Sequence, residues 1–276
     1  MKLFDEADWK QKVKGCEQVN AILREAQMRI QPDGIGELMD KLKNNYKASN
    51  KAVLKQVIIM TGTMAEVVGQ PILAYNKKNL KPLLAFLGDK AALMRADVVT
   101  SVNKWKEAIG AEHVINNMCT YLPDGNPELR NDSLKWIVEN KAAIAKCEHR
   151  EMVKPLIICL TDRSGPIRTM ADEAIVETIT HVGFAPFQEG IRDLKPAVQG
   201  TVKPLLDKAK AKAIAANPNA VNQEVEEEAP AATTAATKTT ASRAKPGAGR
   251  GAASKTTGAA RPGTAAPAKS GPTLKV

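Results

Sequence analysis

The chain has 276 residues, of which 43% are hydrophobic and 25% charged, and a formal net charge of +10. No stretch approaches the roughly 18 uninterrupted apolar residues of a membrane-spanning helix. The four cysteines form no CxxC pair and the three histidines no HExxH, which disfavours a zinc site.

The composition divides the chain. Residues 1–212 mix apolar and charged residues in globular proportion, whereas residues 229–276 contain no Trp, Tyr, Phe, Ile, Met or Cys. A segment so poor in apolar residues cannot offset its chain entropy by burial, so residues 213–276 are expected to form a disordered Ala/Thr/Gly/Pro/Lys/Arg-rich tail. Eight of the ten net positive charges lie in residues 229–276, leaving +2 for residues 1–228. The basic balance is thus a property of the tail, whose field attracts acidic partners. An acidic knot, Glu224 with Glu226 to Glu228, precedes it. With charge from Lys2 onward and no apolar leader, the chain reads as cytosolic, with reduced thiols in its core.

Helical periodicity dominates residues 1–212. Val13, Cys16, Val19 and Leu23 make one apolar stripe, and Ile35, Leu38, Met39 and Leu42 a shorter one. The stripe from Val53 to Val67 predicts a long helix that stops at Gly69, ahead of Pro71. Leu80, Leu83, Leu84 and Leu87 predict a helix, and Met94 to Ile109 another that ends at Gly110. Asn126-Pro127 marks a helix start before Leu129, Leu134, Ile137 and Val138. Pro155 to Leu160 and Ile167 to Ile179 form the next pair, and residues 195–212 a closing helix. Trp105 and Trp136 fall at core spacing.

One pattern recurs along this run. An apolar residue is followed two positions later by a carboxylate or amide, and six positions after that by a basic residue or an amide. The instances are Phe4/Glu6/Lys12, Leu42/Asn44/Asn50, Leu87/Asp89/Arg95, Leu122/Asp124/Arg130 and Leu160/Asp162/Arg168. Their starts are separated by 38, 45, 35 and 38 residues, the period of stacked two-helix repeats. The expected fold is therefore an all-α solenoid with its equivalent turns along one edge. An Asp in such a turn can cap the second helix. The base six residues later can reach the Asp of its own or a neighbouring repeat, so this pair reads as structural. The residues between them face solvent, and a tryptophan there, Trp9, has the character of a binding hot spot.

The residues at these tips resemble the TOG domains of the microtubule polymerase family. The resemblance covers about residues 1–212. It rests on Asp8-Trp9-Lys10, Ser49-Asn50-Lys51, Leu87-Gly88-Asp89 with Arg95, Val102-Asn103-Lys104-Trp105, Asn126-Pro127-Glu128-Leu129-Arg130 with Trp136, and Asp162-Arg163-Ser164-Gly165 with Arg168. The fourth TOG domain of multi-TOG members is the nearest match. The resemblance implies a HEAT-repeat α-solenoid, a flat paddle of about six two-helix repeats without cofactor. It implies tubulin contacts at Trp9, Lys10, Asn50, Lys51, Lys90, Asn126, Arg163 and Arg168. It implies that Lys238, Arg243, Lys245, Arg250, Lys255 and Arg261 adhere to the microtubule lattice. The expected setting is the cytoplasm and its microtubules, spindle, centrosome or spindle pole, with other TOG or end-binding proteins as further partners. Because family members usually carry several TOG domains, this chain is expected to be a fragment, to oligomerise, or to act beside other TOG proteins.

Two other readings accompany this one. A helical-repeat nucleic-acid binder accords with a pI of about 9.4, but the repeats lack regularly placed stacking aromatics. A generic HEAT scaffold leaves Trp9 without a specific role. No nucleophile–base set suggests an enzyme, and the Gly247–Gly251 stretch follows no strand that would make it a phosphate loop. Thr239, Thr240, Ser242 and Ser254 lie near tail bases, where phosphorylation would add about −1.5 to −2 charges each and weaken lattice attachment.

Overall fold

The computed structural model describes residues 2–26, 30 and 34–218. The six predicted lattice-binding residues and the four predicted phosphorylation sites lie outside these. The described residues are helical throughout and contain no strand.

Among the described residues eleven α-helices follow in order: α1 (Trp9–Glu25), α2 (Gly36–Asn45), α3 (Lys51–Val68), α4 (Lys81–Leu84), α5 (Ala92–Ile109), α6 (Ala111–Cys119), α7 (Pro127–Glu139), α8 (His149–Leu160), α9 (Gly165–Val182), α10 (Ala185–Arg192) and α11 (Pro196–Ala216). The closing helix thus extends four residues past the end predicted for it at 212. The long helices α1, α3, α5, α7, α9 and α11 are the second members of successive repeats. The first members are shorter: the 3-10 turn Lys2–Phe4, α2, the irregular run Gln70–Gly88, α6, α8 and α10.

The third repeat's first helix differs from the regular helix its leucines predict. It is built from a 3-10 turn Gln70–Tyr75, a π turn Asn76–Leu80, the single turn α4 and a further 3-10 turn Ala85–Gly88. Pro71 and Pro82 lack the N–H that a continuous ladder needs, so the run is broken into short pieces. Its apolar face is nevertheless buried through Ile72, Leu80, Leu83, Leu84 and Leu87.

The repeats stack in two layers. In one, α3 packs between α1 and α5, and α9 between α7 and α11. In the other, α6 lies against α4 and α8, and α8 against α10. The apolar stripes meet between the layers. Trp105 and Trp136 are buried as their spacing predicts, and Trp136 donates its Nε1 hydrogen to Asn103 Oδ1 at 2.9 Å. The second-helix layer loosens between α5 and α7. There α7 packs on the Ala85–Gly88 turn and on α9, and a groove of about 220 Å³ opens beside Ala96, Val99 and Lys135.

Where α3 and α5 cross, the helices come unusually close. A Cβ added at Gly62 would sit 2.7 Å from the Ser101 Cα, and Ser101 Oγ donates across the crossing to the Ile58 carbonyl at 2.9 Å. A Gly62→Ala substitution removes about 1 kcal/mol of helix penalty. The overpacking it introduces costs about 1–3 kcal/mol, and the neighbour it meets is backbone. Gly62→Ala is therefore expected to lower the urea midpoint. Gly125→Ala, at a turn position with open space around it, should leave the midpoint nearly unchanged.

Candidate protein-binding edge

Every long helix begins at a residue in extended conformation. These N-caps are Asp8, Asn50, Ala91, Asn126, Ser164 and Lys195. They give the true register of the repeats and correct the sequence pattern at one place. Asn50 is an N-cap equivalent to Asp8 and Asn126, not the counterpart of Arg95 or Arg168. Its Oδ1 accepts from the N–H groups of Ala52 and Val53 at 2.8 and 3.4 Å. An apolar residue at position 42 mimicked the start of the pattern, whereas the turn itself begins four residues later.

The repeated aspartates act one step earlier than a helix cap. Asp89, Asp124 and Asp162 each accept the N–H of the residue two positions on, and in every case that residue is the N-cap: Ala91 at 2.9 Å, Asn126 at 2.8 Å and Ser164 at 2.7 Å. They fold the turn, and the turn then presents the helix. The arginines complete it from the other side. Arg95 Nη1 donates to the carbonyl of Asp89 at 2.9 Å, and Arg168 Nη1 to that of Asp162 at 2.7 Å.

Further bonds join each turn region to the next. Lys41 reaches Asp5 at 2.6 Å, and Lys12 reaches Asn45 Oδ1 at 3.0 Å. Lys51 Nζ meets Asp89 at 2.5 Å. Asn126 Nδ2 donates to the Gly88 carbonyl at 2.9 Å, and Arg95 Nε to Asp132 at 2.8 Å. Arg130 pairs with Asp162 at 2.7 Å. These links run from the first turn to the fifth, so the five turns form a single row.

The eight predicted contact residues all lie along this row, in different states. Trp9 opens α1 and is 43% exposed, with Lys10 Nζ 5.9 Å from its ring centroid. Lys90 and Arg163 are exposed, and among the described residues their side chains make no hydrogen bond or ion pair. Lys51 is exposed but shares its charge with Asp89. Arg168 spends donors on main-chain carbonyls of its own turn. Asn50 and Asn126 cap α3 and α7 through their amide oxygens. Asn126 accepts from Glu128 and Leu129 while donating to Gly88, so both ends of its amide are used. Leu93, which falls in the third solvent-facing tip of the sequence pattern although it was given no contact of its own, is 80% exposed two residues past the third N-cap.

The described residues contain no group of three His, Cys, Asp or Glu able to hold a metal ion. Burial pushes the thiols of Cys16 up to about 11 and of Cys159 up to about 12, so they stay protonated as small core groups.

No family model matches the sequence. The crystal structure of the MAST/Orbit N-terminal domain superposes with a TM-score of 0.56 at 20% identity, covering 76% of this chain and 96% of that one. A TOG domain of C. elegans Zyg9 gives 0.56 at 15% identity, covering 75% and 79%. The fold is that of a TOG domain. Sequence comparison finds relatives as well. The Arabidopsis thaliana protein MOR1 is 29% identical over 198 residues, which are 71% of this chain and 10% of that protein. Dictyostelium discoideum centrosomal protein 224 is 26% identical over 211 residues, 74% and 10%. Drosophila melanogaster mini spindles is 24% identical over 217 residues, 76% and 10%. The chain thus spans about a tenth of the length of these relatives.

Two predictions concern the row. The Asp162 side chain is 6% exposed and the Arg130 side chain 18%, so Arg130→Ala leaves a buried carboxylate without its partner. The expected loss in a denaturant titration is about 3–5 kcal/mol. Asp89 is the second case. The hydrogen bond from Lys51, with that from the Ala91 N–H, holds its carboxyl below the ordinary value of 3.8. Its contribution is therefore complete above 3.8 and is lost as pH falls through the lower folded value. An Asp89→Asn variant should show a shallower loss of stability on acidification below that point than the parent, followed by circular dichroism.

Proposed function

We propose that the TOG domain of this chain, residues 1–212 in the sequence reading, binds the αβ-tubulin dimer along its row of intra-repeat turns. The observation that carries this reading is the row itself. Its five turns are fixed to one another by side-chain bonds, and it presents Trp9 with Lys10, then Lys90, then Arg163, outward from a fold shared with TOG domains. Solved TOG structures of the same fold include one of tubulin recruitment and assembly by microtubule polymerases, at a TM-score of 0.57. An aromatic anchor flanked by cations suits a partner surface that is apolar in places and acidic around them.

The finer parts of the reading rest on the sequence. The order of turn motifs supports membership of the multi-TOG microtubule polymerase family and likeness to its fourth TOG domain. Lys238, Arg243, Lys245, Arg250, Lys255 and Arg261 supply a second, electrostatic attachment to the acidic microtubule lattice. Together the two attachments would regulate microtubule growth at plus ends and in the spindle. The centrosomal and spindle names of two relatives accord with that setting.

The test is size-exclusion co-elution of the full chain with unpolymerised tubulin, parent beside Trp9→Ala, at 0.15 M salt and at higher salt. Attraction through the tail is screened as the Debye length falls below about 8 Å, whereas a contact through Trp9 persists. The expected cost of Trp9→Ala is about 2 kcal/mol or more, seen as loss of the complex peak. Equal co-elution of parent and variant at both salts would overturn the turn-edge reading.

A further inference from the structure

Leu93 is the most exposed large hydrophobic side chain among the described residues. It contributes nothing to the packing of α5, which is carried by Met94, Val98, Val102, Trp105 and Ile109. Its neighbours Ala91 and Ala92 are exposed as well, so the third turn offers a short apolar tip directly after the exposed Lys90.

A single leucine on a surface is ordinary. The backbone beneath this one is not. Asp89 holds the Ala91 N–H at 2.9 Å and takes Lys51 from the second turn at 2.5 Å. Arg95 Nη1 donates to the carbonyls of Asp89 at 2.9 Å and Lys90 at 3.4 Å, while its Nε is anchored on Asp132 of α7. Asn126 of the fourth turn holds the Gly88 carbonyl. Side chains from three repeats thus fix the segment from Gly88 to Ala91, on which Leu93 stands. An apolar group on a rigid support loses little conformational freedom when a partner covers it, which is the condition for an efficient anchor. The fold itself gains nothing from a leucine at this point.

We propose that Leu93 is a second apolar anchor of the edge, entering an apolar depression on the tubulin dimer whose acidic rim meets Lys90. This rests on the tubulin reading above and adds to it a specificity-determining residue in the third turn. The edge then holds its partner at two apolar points, Trp9 and Leu93, with cations beside each.

The experiment uses the full chain, with Leu93→Ala and Leu93→Met beside the parent and Trp9→Ala. Each is titrated into fluorescently labelled tubulin dimer at salt that screens the tail, and each is melted alone. Leu93→Ala should raise Kd about tenfold. Leu93→Met should stay within about twofold of the parent, because an unbranched thioether still fills an apolar depression. Neither should move the melting temperature, since the side chain packs against nothing in the free protein. If Leu93→Ala binds within about twofold of the parent while Trp9→Ala is weakened, the edge reading stands and the role of Leu93 falls. If the parent itself fails to bind dimer, both fall. If Leu93→Ala instead changes the sedimentation of the chain alone, Leu93 is a self-association contact and the proposal is overturned.

Discussion

The structure depends on the way one turn is bonded to the next. A solenoid repeat cannot hide its apolar face alone, so burial drives the helices together without fixing how their ends line up. The hydrophobic effect has no direction. Alignment comes from directional bonds between repeats, among them those at the turn edge, where Lys51 reaches Asp89, Asn126 reaches Gly88, and Arg130 reaches Asp162. Arg130 and Asp162 are largely buried, and such a pair favours register more than stability, because its attraction is offset by the cost of removing both charges from water.

The same bonds divide the residues of the edge into two kinds. Asn126, Asp89 and Asp162 are consumed within the turns, whereas Asn50 spends its amide oxygen there. Trp9, Lys90, Arg163 and Leu93 stand on the turns and point away from them. A residue of the first kind shapes the surface by holding the chain. A residue of the second kind can be exchanged with little effect on the fold. This division follows from hydrogen-bond capacity: an amide with both its oxygen and its nitrogen engaged has little left for a partner.

The stack is also not uniform. Contact between α3 and α5 is close enough to require glycine at position 62, whereas α5 and α7 are separated by a groove. The broken third-repeat helix lies at this transition, and its last 3-10 turn takes the packing that α5 would otherwise give to α7. The Arg95–Asp132 pair bridges the gap where side-chain packing is thin.

Much of this was legible in the sequence. Apolar spacing gave the long helices and the burial of Trp105 and Trp136, because a 3.6-residue period separates a helix's two faces wherever it is placed, but it missed α6 and the broken run Gln70–Gly88; the exposure of Trp9 followed from its place in the first turn. Glycine punctuation gave the ends of α3 and α5, since Gly69 and Gly110 adopt φ values of +66° and +94° that other residues avoid. The sequence alone could not give the register of the second repeat. Asn44 and Asn50 both suit a turn by residue type, and only the observed N-cap geometry selects Asn50. Nor could it show which charged and polar side chains are spent. Lys51 and Lys90 look alike in one dimension, yet only Lys51 meets a carboxylate from the next repeat. Local propensity and periodicity are properties of short stretches of chain. Pairing across about 38 residues is decided where the helices pack.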